Sequence, residues 1–357
     1  MTVLYLNLVT VFSLAWIARY FSTPAMAISI YSPADIKPNR YLTMLATLIL
    51  ILVSGLRTNI GDTFFYRHAF EVQDFTWEFV IGEKDIGFGI LQMLLKNLSA
   101  DPQILIFVTA LITNSLIVLV LYKYSRMIEL SLFVYITSGL FLVSMNGIRQ
   151  FLAAAIIFAA TKYVMDGSWK KFIVVVLLAS TFHQSALILI PIYFMVRRKA
   201  WTRSTFVLLV LAMIIVVGYN QFTSILFSAL EDTQYGHYSE FSEGGASILR
   251  VVVYAAPLFI AYLGREKLRN IFPNSDYIVN LCILNLIFMI IASQNWIFAR
   301  FTIYFGLYNL ILIAWIVKLV NERDQKFLYY GIFIFYLAYF YYEHVISLGI
   351  LYKSNYL

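Results

Sequence analysis

Long apolar blocks separated by short polar clusters run along the whole chain. They are too wide for the two-residue alternation of a half-buried strand or the single stripe of a surface helix. Residues 104–121, 206–217 and 307–317 lie in such blocks. A helix crossing bilayer hydrocarbon needs about 20 mostly apolar residues. The pattern therefore predicts spans near 3–18, 41–56, 103–121, 130–146, 149–165, 204–219, 249–263, 277–294, 297–317 and 327–344. The expected fold class is an all-α polytopic membrane protein, with about ten transmembrane helices in a single membrane domain over 1–357.

Composition leaves no room for a soluble domain. Of the 357 residues 61% are hydrophobic and 13% charged, with mean hydropathy +0.80, against about a quarter charged in soluble domains. The lone Cys282 sits in an apolar run and reads as packing. Residues 24–27 have the small side chains of a signal-peptide cleavage site, but no Lys or Arg precedes the apolar stretch 3–17. That stretch is therefore expected to be a retained first span.

Charge placement orients the spans. Basic clusters favour cytoplasmic loops, and six are read there: Arg19, Lys37 and Arg40; Lys123 and Arg126; Lys162, Lys170 and Lys171; Arg197, Arg198, Lys199 and Arg203; Arg265, Lys267 and Arg269; Lys318, Arg323 and Lys326. Arg57, Arg67, Lys84, Lys96, Arg149, Arg250, Arg300 and Lys353 remain on the other side, with most of the acids. The net charge of +7 is then a positive-inside pattern, and nucleic acid is not needed to explain it. The alternation starts with the N-terminus outside and fails once, at 172–196, where Lys170-Lys171 and Arg197-Arg198-Lys199 both require the cytoplasm. A helical hairpin over 172–196, with His183 near its tip, satisfies both ends. An arm of about 11 residues rises roughly 16 Å, about half the hydrocarbon thickness, and broken backbone at that depth must be lined by protein or a water-filled cavity.

Two outer loops are long. Residues 57–100 contain an expected interfacial helix near 85–95, and residues 220–249, acidic with Gly236, Gly244 and Gly245, are expected to form a lid. The chain has no internal repeat, unlike transporters built from duplicated halves.

Three outer stretches concentrate polar chemistry. Residues 54–68 carry Arg57, Asp62, Tyr66, Arg67 and His68. The Asn146-Gly147-Ile148-Arg149-Gln150 turn puts Arg149 in the first turn of a span, where the positive helix end already favours anions. Arg300 lies about one turn into a span with Tyr304 at i+4. The competing explanation for each arginine is snorkelling to lipid headgroups. For His183 it is a satisfied interior histidine, and Arg250, at the outer start of its span, is ambiguous. Several guanidinium groups aimed at one place suit a polyanion such as a pyrophosphate. Asp62 or His183 could accept a proton from an attacking hydroxyl, and stabilising the departing diphosphate would be the main catalytic contribution. The sequence has no DxD, HExxH or Cys/His cluster and no Gly-rich phosphate loop, so no metal or other cofactor is expected.

At these residues the sequence resembles the EpsG family of exopolysaccharide polymerases, relatives of the Wzy-type enzymes. The likeness is carried by Ser54-Gly55-Leu56-Arg57 with Gly61-Asp62-Thr63 and Tyr66, Asp85 with Gly87-Phe88, the Asn146–Gln150 turn, Phe182-His183-Gln184-Ser185-Ala186-Leu187, and Arg300 with Tyr304. It runs over about residues 1–320. The resemblance implies a GT-C-like glycosyltransferase of the bacterial plasma membrane that joins undecaprenyl-diphosphate-linked repeat units on the extracytoplasmic face. Arg57, Arg149 and Arg300 would hold the donor diphosphate, with Tyr66, Arg67, Asp85, Asn146, Gln150, Arg250 and Tyr304 in support. Asp62 is expected to activate the acceptor hydroxyl, with His183 assisting or replacing it, an assignment that comes from the chemistry above and not from the family's pattern. The expected partners are the lipid-linked oligosaccharide as donor and acceptor, membrane lipid, and chain-length regulator and flippase proteins. Two other classes remain open: a flippase or exporter of the same glycan, and a ligase or acyltransferase. A His183 hairpin open to the cytoplasm would favour the acyltransferase.

Overall fold

The computed structural model describes residues 1–25, 33–230 and 244–357. Among them the one paired sheet is a two-residue ribbon, Thr23–Pro24 against Ile36–Lys37. The helices in chain order are α1 (Thr2–Tyr20), α2 (Arg40–Gly55), α3 (Thr63–Val72), α4 (Trp77–Gly82), α5 (Ile86–Leu98), α6 (Gln103–Tyr124), α7 (Ile128–Thr137), α8 (Leu140–Asn146), α9 (Ile148–Ala159) and α10 (Thr161–Asp166). There follow α11 (Trp169–Phe182), α12 (Leu189–Val196), α13 (Arg203–Val217), α14 (Tyr219–Leu230), α15 (Ile248–Leu263), α16 (Arg265–Ile271), α17 (Ser275–Ala292), α18 (Ala299–Ile316) and α19 (Glu322–Phe340), which continues into a π-helical segment, Tyr341–Ser347.

Every expected span is a helix or a broken helix, so the protein is an all-α, multi-pass membrane protein. Fewer than ten are long straight rods. Among the described residues Thr2–Tyr20, Gln103–Tyr124, Ser275–Ala292 and Trp296–Leu319 are long and apolar enough to cross alone. Two bent pairs, α7 with α8 at 55° and α15 with α16 at 82°, could each supply one more crossing. The first bend has a local cause: Gly139 adopts φ +87°, and a Cβ there would lie 2.4 Å from His344 Nε2. Broken backbone of this kind survives in a membrane only where protein covers it. Helix α18 is the central rod. Every residue from Thr302 to Ile316 is buried, as expected of a helix that is apolar all round.

The hairpin is present. Phe172 near the start of α11 packs on Tyr193 near the end of α12, with ring centroids 4.9 Å apart, and Trp169 meets Phe194 at 6.4 Å. The two arms therefore run antiparallel, and the break between them at His183 lies at the far end.

The six basic clusters gather at one end of the bundle through a chain of contacts. Arg19 pairs with Glu129, and Arg197 donates to Val164 O (2.8 Å). Arg269 donates to Ala200 O (3.3 Å), Lys267 to Leu319 O (3.2 Å), and Trp315 Nε1 to Tyr124 O (2.7 Å). The opposite end collects the last residues of α2, α8 and α11 and the first residues of α6, α9 and α18. The expected helix in the 57–100 loop is α5. The first residues of the 220–249 segment, expected to form a lid, belong to helix α14, and residues 231–243 lie outside the described residues.

Candidate functional site

Arg57 stands just past the end of α2 and is 1% exposed. Its Nε donates to Thr63 Oγ1 (3.0 Å), one terminal nitrogen to Met145 O (2.6 Å) and the other to Ser54 O. Gln103 Nε2 donates to Gly55 O (2.5 Å) and Arg57 O (3.2 Å), and its Oε1 accepts from Arg67. The C-terminal tail closes the same loop: Thr58 N donates to Lys353 O (2.9 Å), Lys353 N to Asn59 Oδ1 (2.7 Å) and Ser354 Oγ to Leu56 O (2.7 Å). Burial pulls the Arg57 guanidinium down to about 9, so it stays charged at neutral pH. The resemblance made Arg57 a diphosphate ligand. In the structure all three of its nitrogens already donate to protein oxygens and the side chain is buried, which favours a bracing part for Arg57. Arg67, engaged with Gln103, is likewise directed at this knot.

The knot positions Asp62. Gly61 has φ +52°, and the Asp62 N–H donates to Asn146 Oδ1 (2.9 Å), leaving the Asp62 carboxylate exposed at the start of α3. A Cβ on Gly61 would lie 2.1 Å from Asn146 Oδ1. Gly61→Ala is therefore expected to destabilise by about 1–3 kcal/mol through strain in the left-handed region and by breaking the Asn146 bond, read as a lower Tm of the purified protein.

Arg149, in the first turn of α9, has a different environment. One terminal nitrogen reaches Asp85 Oδ2 at 3.0 Å, and the guanidinium lies 5.9 Å from the Tyr66 ring centroid and 6.0 Å from that of Phe88. Its Nε is buried with no hydrogen-bond partner among the described residues. Asp85 caps the next element as well: the Gln184 N–H at the hairpin tip donates to Asp85 Oδ1 (3.2 Å). Burial pushes the Asp85 carboxyl up, and the Arg149 charge opposes that shift.

The hairpin tip then joins α9 to α18. His183 Nδ1 shares a hydrogen bond with Ser185 Oγ (2.7 Å), which shares another with the buried Tyr304 hydroxyl (2.8 Å). Gln150 Nε2 donates to Arg300 O (3.0 Å) and lies 3.4 Å from Ser185 Oγ. The Arg300 guanidinium stands 5.0 Å from the Trp296 ring. Desolvation, assisted by the Arg149 and Arg300 charges, pulls His183 down to about 4. A lowered pKa means that the proton leaves early as pH rises, so the imidazole is neutral from about pH 5 upward. Activity is expected to show no ionisation near the usual histidine value of about 6.5 when rate is measured from pH 5.5 to 8. A His183-dependent limb in that window would contradict the neutral assignment.

A cavity of about 600 Å³ opens beside Arg149, walled by α3, α4 and α5 and including Asp62, Tyr66, Asp85 and Phe88. Asp62 and Arg149 thus share a cavity, and Arg149, His183, Tyr304 and Arg300 form an adjoining network. Arg250 lies apart in a different contact, paired with Glu343 at 2.6 Å. Sequence reasoning missed Glu343, an acid in an apolar run, and the structural part played by Ser185, although Ser185 lay within the Phe182–Leu187 motif. It also stopped short of the C-terminal tail, which carries no chemistry of its own. Among the described residues no group of three His, Cys, Asp or Glu side chains is placed to hold a metal ion.

A family model described as the EpsG family matches residues 40–356. The chain belongs to the EpsG family. The match reaches past residue 320 to include the tail that locks Arg57. No curated protein and no solved structure matches the chain. EpsG membership carries an exopolysaccharide-polymerase role, and with it a glycosyltransferase activity of the polymerase type.

Proposed function

We propose that this EpsG-family protein polymerises undecaprenyl-diphosphate-linked oligosaccharide repeat units at the extracytoplasmic face of the bacterial plasma membrane, as a GT-C-type, Wzy-like transferase. The observation that carries the reading is the hydrogen-bonded network that ties Arg149 through Asp85 to the His183 hairpin tip, and the tip through Ser185 and Tyr304 to the Arg300 helix, next to a cavity that holds the exposed Asp62 carboxylate. The orientation follows from the gathering of the six basic clusters at the opposite end.

In the proposed step the acceptor hydroxyl oxygen attacks the anomeric carbon of the donor sugar. The bond from that carbon to the phosphate oxygen breaks, and its electron pair leaves with the lipid diphosphate. The hydroxyl proton passes to Asp62. Arg149 and Arg300 hold the donor diphosphate and stabilise the charge that grows on it. His183, neutral and tied through Ser185 to Tyr304, positions the two arginine-bearing helices. Arg57 and Arg67 support this arrangement by bracing the loop that presents Asp62. The remaining partners in this reading are the surrounding lipid, the flippase that delivers the substrate and the regulator that sets chain length.

The test is purified protein in lipid nanodiscs supplied with lipid-linked repeat unit extracted from its host, without nucleotide or divalent metal. A ladder of lengthened glycans is the expected product. Unchanged monomer under conditions where the protein is folded would overturn the reading, and movement of intact lipid-linked unit across a vesicle membrane without bond formation would establish a flippase instead.

A further inference from the structure

We propose that the cavity walled by α3, α4 and α5 is the site for the acceptor sugar, and that it selects uncharged glycans over acidic ones. The inference rests on the polymerase reading for the word acceptor; the sugar site and its charge preference are independent of it.

Three observations point there. The first is size: about 600 Å³ lies within the range of roughly 300–1,000 Å³ for small-molecule sites. The second is the lining. Phe65, Tyr66, Phe75, Phe79 and Phe88 border the cavity, and Phe65 is 68% exposed. Aromatic faces suit the C–H faces of a sugar ring, while Gln73 and Gln92 on the same wall can donate and accept for its hydroxyls. A lipid chain is a poorer fit, because it would desolvate the carboxylates of Asp62 and Glu83 without giving them a hydrogen bond.

The third observation is charge. Asp62, Glu83 and Asp85 line the cavity, against the single guanidinium of Arg149. Arg149 is paired with Asp85, so Asp62 and Glu83 are left to set the local potential. Among the described lining residues His68 is the one other group able to carry positive charge, and its ring stacks on Phe64 at an interplanar angle of 2°. Like charges disfavour an anionic guest. A uronate-bearing glycan is disfavoured here, and so is a diphosphate. The donor headgroup then belongs on the Arg300 side of Arg149, and the cavity is left for a sugar whose hydroxyl approaches Asp62.

The experiment uses the protein in nanodiscs and three glycans free of lipid: the repeat unit released from its carrier by mild acid, neutral cellotetraose, and tetragalacturonate. Binding is read by saturation-transfer NMR and calorimetry. The released repeat unit is expected to bind, Phe75→Ala and Phe79→Ala together to weaken it at least tenfold, and tetragalacturonate to bind more weakly than cellotetraose. Glu83→Gln is expected to narrow that last difference by strengthening tetragalacturonate more than cellotetraose. Absence of binding by the released unit, binding indifferent to the two phenylalanines, or a preference for tetragalacturonate would each overturn the proposal. Ladder formation without binding of free glycan removes this site and leaves the polymerase standing. Glycan binding without any ladder does the reverse.

Discussion

Arg149→Lys is expected to reduce polymer formation on the order of 10²-fold while leaving a folded protein. The magnitude follows from the loss of one preorganised donor to a developing anion. Lysine keeps the positive charge but not the planar fork, which binds a diphosphate through two parallel N–H bonds. The Arg149 guanidinium reaches Asp85 through one terminal nitrogen and borders the cavity, so it can present donors to a ligand there. The side chain is also 40% exposed, and a lysine ammonium at this position keeps a positive charge to pair with Asp85. The measurement is ladder length and initial rate in the nanodisc assay, alongside Tm. Wild-type turnover in Arg149→Lys would remove Arg149 from the diphosphate site.

The opposite outcome is expected for Arg57→Met, which should lose stability before it loses chemistry. Removing the guanidinium takes their donor from the buried carbonyls of Ser54 and Met145, while the Thr63 hydroxyl keeps its bond to Ile60 O. Each buried group left without a partner costs about 1–3 kcal/mol, against a total stability of about 5–15 kcal/mol for a typical protein. Low yield of folded protein and a Tm depressed by many degrees are the expected readouts. Ser354→Ala removes only the bond that the tail makes to Leu56 O, so a smaller fall in the same direction is expected. A stable, fully folded Arg57→Met that is catalytically dead would return Arg57 to the substrate site.

These two arginines show where sequence reading stopped. Both follow glycine-containing turns at helix ends, and both belong to motifs that carry the family likeness. What separates them is burial. The carbonyl of Met145, 88 residues away, accepts from Arg57, and the tail beyond residue 350 covers the same loop. Contacts between distant segments leave no local mark. Arg250 shows the same limit, since its partner Glu343 is 93 residues on, and an arginine at the start of a span reads alike whether it faces lipid, ligand or a buried acid.

The hairpin was legible for a physical reason. The charges on its two flanks both need the same aqueous side, so one crossing could not satisfy them, and the contacts of Phe172 with Tyr193 agree. The aromatic cavity was not legible. Its phenylalanines are spread over three helices and the segment between α3 and α4, and an aromatic residue in such a chain ordinarily belongs to the core or the interface belt.

The sequence by itself determined the membrane class, the helical character, the gathering of basic residues at one end, the 172–196 hairpin and the family. Each depends on hydropathy, charge or a contiguous motif, which are local and additive along the chain. It did not determine how many helices cross: about ten were expected, and four to six of the described ones are long and apolar enough. Only the tertiary structure decided that Arg57 is buried among protein oxygens while Arg149 borders a cavity, what Asp85 holds together, and that this cavity lies beside Asp62. Those outcomes depend on which distant groups share a small, desolvated volume, and packing alone brings them there.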